Sequence, residues 1–195
     1  MIESWRAEWQ KDFPFYFVEI APFNYNSKIN IEAALVREAQ LKTMQTVENT
    51  GMVVTNDIGN LKNIHPTNKQ EVGRRLALWA LSKTYGVKDL AFSGPIYKSM
   101  EIKKDKAIIS FDFAEGGLQT KEKDVKEFFI AGADKKFYPA KAKIKGNTVE
   151  LKSKNVKEPV AVRFAFTETA LPNLYNTHGL PAAAFRTDNW ESKTE

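Results

Sequence analysis

Residues 50–70 read TGMVVTNDIGNLKNIHPTNKQ. The apolar run Met52-Val53-Val54, bounded by Gly51 and by the turn formers Thr55 to Asn60, has the length and content of a buried strand in a parallel sheet. A loop carrying Asp57 and His65 follows. Thr67 and Gln70 then stand at capping-box spacing, which satisfies free N–H groups in a first helical turn. Pro66 holds His65 extended just ahead of that cap. The imidazole is therefore expected on a loop leaving the carboxyl end of a strand, where open α/β sheets place their chemistry.

Upstream, residues 1–12 read as the end of a helix with Ile2, Trp5 and Trp9 on one face. Pro14 to Ala21 (PFYFVEIA) reads as a second buried parallel strand, followed by the turn formers Pro22 to Ser27. Ile31 to about Val47 is expected to be helical, with Leu35, Ala39, Met44 and Val47 available for burial. Downstream, Thr67 to Tyr85 is a helix with Val72, Leu76, Trp79 and Ala80 at helical spacing, stopped by Gly86. This βα-βα order implies a parallel sheet with right-handed crossovers. Two strands do not complete a doubly wound sheet, and bare edges of such strands invite aggregation. The expectation is thus the second half of an α/β domain whose first half lies elsewhere.

From about Val87 the period changes. Ile96–Met100, Ala107–Phe113, Glu127–Ala131, Lys136–Ile144, Asn147–Lys152 and Val160–Thr167 read as short alternating strands separated by turn signals. Their spacing predicts an antiparallel β-sandwich. The chain is therefore read as α/β plus all-β. Residues 1–87 are a partial doubly wound parallel sheet, and 88–195 are a β-sandwich with a tail (Leu171 to Trp190) wrapping back over it.

Composition bounds the function. The 195 residues are 43% hydrophobic and 27% charged, ordinary for a globular protein. With no cysteine there are no disulfides and no thiolate metal site. No apolar run reaches the length of a membrane span, and the mixed-charge amino terminus is not a signal peptide. The net charge of +5 comes from lysines scattered singly among carboxylates. A solvated basic face accounts for it without a nucleic-acid or membrane partner.

Several segments together resemble the bacterial sialate O-acetylesterases, part of the wider SGNH hydrolase group of serine esterases. They are Phe15-Tyr16-Phe17-Val18 with Ala21-Pro22-Phe23, Arg37-Glu38-Ala39-Gln40, Asp57-Ile58-Gly59, and Ile64-His65-Pro66 with Lys69. Further on come Gly132 to Phe137, and Gly179-Leu180-Pro181 leading into Phe185-Arg186-Thr187-Asp188. Ala184 departs from the family, which usually has proline there. The resemblance makes residues 1–87 the carboxyl-terminal half of an SGNH domain. It places the serine nucleophile, the oxyanion loops and a further β domain on an upstream segment. Full-length relatives are periplasmic or secreted.

In a serine esterase an imidazole takes the nucleophile's proton and returns it to the leaving alcohol, and the resemblance gives His65 that role. Asp57, at the carboxyl end of the same strand, is the candidate to hold the other ring nitrogen; alternatively it caps the Ile58-Gly59 turn. Many SGNH hydrolases have an aspartate three residues before the histidine, and several relatives have one two before it. This chain has Lys62 and Asn63 there. Arg37 and Gln40 share a helix face; they either bind substrate or tie two loops together. His178, in a turn-like setting, has no role by resemblance. Arg186-Thr187-Asp188 reads as a docked tail held by an arginine ion pair.

No serine stands in a Gly-Asp-Ser, Gly-Gln-Ser or Gly-x-Ser-x-Gly context. Two distant histidines do not make a zinc site, and no phosphate-cradling glycine loop is present. The resemblance therefore implies a carbohydrate O-acetylesterase acting on acetylated sialic acid or a related sugar by a Ser-His mechanism, with no cofactor. Its serine comes from an upstream polypeptide, and these 195 residues are inactive alone. The alternative is a non-catalytic carbohydrate-binding or assembly module on a degenerate hydrolase fragment, with Tyr97, Phe128, Phe129, Phe137 and Tyr138 as candidate sugar platforms.

Overall fold

The computed structural model describes residues 1–190. Its first part contains helix α1 (Ile2–Glu8), strand β1 (Phe15–Val18), helix α2 (Glu32–Thr46), strand β2 (Thr50–Val53) and helix α3 (Lys69–Trp79). β1 and β2 pair in parallel, with Phe17 opposite Met52. They form a sheet of two strands, β2 the more deeply buried. α3 packs on both, and Gly51 permits the close approach. A Cβ on Gly51 would lie 2.6 Å from Trp79 Cδ2.

Helix details depart from the sequence reading. α3 is capped by Asn68, whose side chain accepts from Glu71 N, so the cap falls one residue after Thr67. The helix continues into a wider π turn over Ala80–Thr84, and Gly86 takes φ +68°, which glycine adopts at no steric cost. In α2 the inward face is Ala33, Ala34, Arg37 and Leu41; Ala39 is exposed. A charged side chain thus occupies the centre of a face expected to be apolar. In α1 only Ile2 is buried, while Trp5 and Trp9 are 48% and 72% exposed.

The second part is built from antiparallel sheets. Strands β3 (Ile96–Lys103), β4 (Lys106–Asp112), β8 (Lys141–Lys145) and β9 (Thr148–Lys152) form one sheet in the order β3-β4-β9-β8. Strands β6 (Phe128–Ala131), β7 (Phe137–Pro139), β10 (Ala161–Phe164) and β12 (Phe185–Arg186) form another, ordered β12-β10-β6-β7. Ile109 and Leu151 of the first sheet and Ile130, Val162 and Phe164 of the second meet in one core. The expected single strand Lys136–Ile144 is in fact two, β7 and β8, in different sheets. The break comes at Pro139-Ala140, since proline cannot donate to a continuing ladder. A small pair, β5 (Leu118–Gln119) with β11 (Tyr175–Asn176), was not legible in the alternation.

The tail docks as a set of ion pairs. Arg186 donates to both carboxylate oxygens of Glu38 on α2 at 2.9 and 3.0 Å. Arg163 on β10 holds Asp188 at 2.9 and 2.7 Å. The first pair joins the α/β part to the β part directly.

Candidate functional site

The site is built at the carboxyl ends of β1 and β2. Glu19, which follows β1, is 3% exposed. Its carboxylate accepts from Thr55 N at 3.0 Å, and its backbone oxygen accepts from Thr55 Oγ1 at 3.0 Å. Burial pushes this carboxyl up to about 7; Arg37 and the backbone N–H groups of Thr55 and Asn56 oppose the shift, and Asp57 adds to it. Asn56 is buried and donates to Ala182 O at 2.8 Å, which pins the loop start to the tail.

Asp57 comes next. Both of its oxygens accept from Arg75 of α3, at 2.7 and 2.8 Å. Arg75 also donates to Val54 O at 2.6 Å and to Glu71 at 2.8 Å. Glu71 is held down at about 2, first by its hydrogen bond to Arg74 and then by Arg75, against the opposing pull of its burial. One guanidinium therefore locks the end of β2, the Asp57 turn and the first turn of α3 together. The turn itself closes through Ile58 N donating to Thr55 O at 3.2 Å. Gly59 is needed where the loop crosses Pro22, because a Cβ there would lie 2.8 Å from Pro22 Cδ.

The loop then rises to the surface on a ladder of Asx turns. Asn60 Oδ1 accepts from Lys62 N and Asn63 N, at 2.9 and 3.1 Å. Asn63 Oδ1 accepts from His65 N at 2.9 Å. Asn63 thus fixes the His65 backbone through a carbonyl oxygen, a task that an aspartate would perform equally well. His65 is exposed, and its imidazole makes no hydrogen bond among the described residues. A ring so placed is free to meet a group arriving from outside.

Arg37 and Gln40, expected as substrate-binding candidates, are turned inward. Arg37 is 2% exposed and donates through Nη2 to Thr167 O. Burial lowers its pKa, while Glu19, Tyr25 and Glu168 raise it. Gln40 accepts from Ile20 N at 2.9 Å and donates to Val18 O at 3.2 Å. Gln40 thereby ties α2 to the end of β1. The buried carboxylates Glu19 and Glu168 were not singled out in the sequence, although Glu19 directly follows the apolar run Phe15 to Val18.

Of the aromatic residues considered as sugar platforms, Phe128 is buried and Tyr97, Phe129, Phe137 and Tyr138 are half-buried. Phe128 is 2% exposed, and Tyr97 stacks on Phe185 with ring centroids 4.7 Å apart. Tyr138 packs on the main core, and Phe137 lies under the Arg163 guanidinium and against Trp190. No serine is hydrogen-bonded to either imidazole among the described residues; Ser27 bonds to Glu32, and Ser93 bonds to Gly94 O. No group of three or more His, Cys, Asp or Glu residues among those described is placed to hold a metal ion. Among the described residues no helix is long and apolar enough to cross a membrane.

The loop after β2 thus carries an aspartate braced by Arg75 and, further on, an exposed imidazole. The structure superimposes on a carbohydrate acetylesterase from Xanthomonas citri with a TM-score of 0.92 and 42% identity, over 97% of this chain and 45% of that one. Among curated proteins the likeness is to sialate O-acetylesterases. It is 27% identical to the human protein over 221 residues, covering 95% of this chain and 40% of that protein. With the mouse protein it is 29% identical over 148 residues, 67% of this chain and 27% of that one. The chain is sialate O-acetylesterase-like, and it spans less than half the length of these relatives. No family model matches it.

Proposed function

We propose that this chain is the carboxyl-terminal part of a carbohydrate O-acetylesterase, and that it supplies the acid/base histidine of a Ser-His mechanism. The observation that supports this most is the exposed His65 imidazole on the loop leaving β2, in a chain 42% identical over 97% of its length to a carbohydrate acetylesterase. In the attack step an upstream serine gives its proton to His65 and its oxygen adds to the acetyl carbonyl. Collapse breaks the bond to the sugar oxygen, which takes that proton from His65 and leaves as the sugar hydroxyl, and an acetyl-serine remains. Water, deprotonated by the same imidazole, then releases acetate.

Asp57 remains the candidate third member. Arg75 fixes the plane of its carboxylate, and each oxygen keeps a lone pair with which to accept from an imidazole N–H. Arg37 and Gln40 act on this reading as interior ties that hold the ends of β1 and β2 in register, rather than as groups that touch sugar. The SGNH framing and the two-domain division near residue 87 belong to the same proposal. The nucleophile and oxyanion donors are assigned to a segment preceding these residues, so the 195 residues alone are inactive.

Substrate class is tested by acetate release from O-acetylated sialic acid and from acetylated xylan, using this chain co-expressed with an upstream segment that carries the serine. Release from at least one, abolished by His65→Ala, is the expected result. No release from either, from a folded assembly, would remove the esterase reading.

A further inference from the structure

The lysines that the sequence spreads out are gathered by the strand register. Residues 141–157 carry six lysines and a single acidic residue, Glu150, a surplus equal to the net charge of +5 for the whole chain. On β8, Lys141, Lys143 and Lys145 alternate with Ala142 and Ile144, which pack on the core, so the three lysines share the outer face. Alternate residues of a strand stand about 6.8 Å apart. On β9, Lys152 shares that outer face with Glu150 and lies directly opposite Lys141. Lys106 on β4 lies opposite Lys103 of β3. A cleft of about 640 Å3 crosses this face, lined by Lys106, Lys141, Lys143, Lys152 and Lys154, with Glu150 the only carboxylate.

Like charges directly opposite in an antiparallel pair are destabilising. Lysines on an edge strand have an ordinary use, since they discourage pairing with a second sheet. That accounts for β8, which is the edge. It does not account for Lys152 and Lys106, which lie on the interior strands β9 and β4 and face other lysines across the ladder. Glu150 is bound by Lys106 at 2.9 Å, and Asp105 is bound by Lys152. Lys141, Lys143 and Lys154 make no ion pair within 4.0 Å among the described residues. Three of the five cleft lysines, Lys141, Lys143 and Lys154, therefore present charge that no carboxylate among the described residues neutralises.

We propose that this face binds an acidic polysaccharide, a chain bearing repeated carboxylates that lies along β8 and across β9. Charge complementarity identifies the occupant as a polyanion. The lining has no aromatic ring, the group on which nucleic-acid bases stack. Lysine ammonium groups are mobile point charges suited to carboxylates of variable geometry. The cleft shares no lining residue with the His65 loop. Binding here does not rest on the esterase reading, and it is measured without turnover.

The test uses the full chain and fluorescently labelled polygalacturonate, followed by anisotropy at low and at physiological salt, with neutral xylan and double-stranded DNA as further probes. The expected result is binding to polygalacturonate that weakens steeply with salt, absent for xylan. Lys141→Gln/Lys143→Gln/Lys154→Gln should weaken it roughly tenfold or more, while Lys11→Gln/Lys28→Gln, outside the cleft, leaves it within about twofold. Thermal melts confirm that both variants stay folded. Absence of binding at low salt, or binding indifferent to the triple substitution, would overturn the proposal. Tighter binding of DNA through the same lysines would overturn it in favour of a nucleic-acid face.

Discussion

Asp57 and Arg75 meet as a parallel two-point pair, Oδ1 to Nη1 at 2.7 Å and Oδ2 to Nη2 at 2.8 Å, with side chains only 9% and 6% exposed. The pair joins the loop after β2 to the first turns of α3, and through Val54 O it reaches the strand itself. Breaking a buried pair by removing one partner leaves the other charge uncompensated, at about 3–5 kcal/mol. Arg75→Met is expected to destabilise the chain by that order in urea unfolding. The isosteric Asp57→Asn should cost less, because one acceptor remains. Equal stability of Arg75→Met and the parent would show that the loop is held by other means.

Glu19 makes stability fall as pH rises through neutrality. Its folded pKa, about 7 against an ordinary 4.5, means that the native state keeps a proton that the unfolded chain has lost between those values. Below 4.5 both states are protonated and nothing is lost; from there to about 7 the unfolded state gains. The loss is on the order of 3 kcal/mol by the top of that window. Glu19→Gln keeps an acceptor for Thr55 N and removes the titration. The variant should gain stability over the parent at pH 8 and match it near pH 4.5, as read from urea midpoints across that range. Parallel curves for the two proteins would place the titration elsewhere.

Gly51→Ala tests the seat of α3. Its Cβ would come within 2.6 Å of Trp79 Cδ2 and 2.9 Å of Tyr16 Cδ1, both ring atoms of packed side chains. Overpacking of this kind costs about 1–3 kcal/mol. A lowered thermal midpoint with blue-shifted or quenched Trp79 fluorescence is expected. Gly73→Ala is the control, since a Cβ there meets nothing within 4 Å.

The main core should respond to truncation on either sheet. Leu151→Ala and Ile130→Ala each remove a fully buried side chain from the layer shared by the two four-stranded sheets. Each is expected to cost about 2–5 kcal/mol. Calorimetry of both variants should show one transition displaced downward; a loss confined to one sheet would instead split it.

Much of this organisation is legible in the sequence because it is local. The run at Met52 to Val54, the turn at Asp57-Ile58-Gly59 and the helix after Pro66 each follow from neighbouring residues, and the structure has a strand, a turn and a helix there. What escaped depends on distant partners. Asn68 rather than Thr67 caps α3, a shift of one residue between two competent side chains. Arg37 and Arg75 occupy inward helical positions because partners far off in sequence receive them, Thr167 O for Arg37 and the Asp57 carboxylate for Arg75. The lysine-lined cleft needs the pairing of β8 with β9, and alternation alone cannot show which lysine faces which. For the site, the position of His65 on its loop could be read from Pro66 and the preceding strand, whereas the inward turn of Arg37 and Gln40 could not.

The most direct test of the account is hydrolysis of 4-nitrophenyl acetate by the purified chain, with and without a co-expressed upstream segment carrying the serine. Activity that arises only with that segment and disappears in His65→Ala is the predicted result. Turnover by the chain alone that is lost in His65→Ala would contradict the placement of the nucleophile outside it. Full activity of the His65→Ala assembly would contradict the role given to the imidazole.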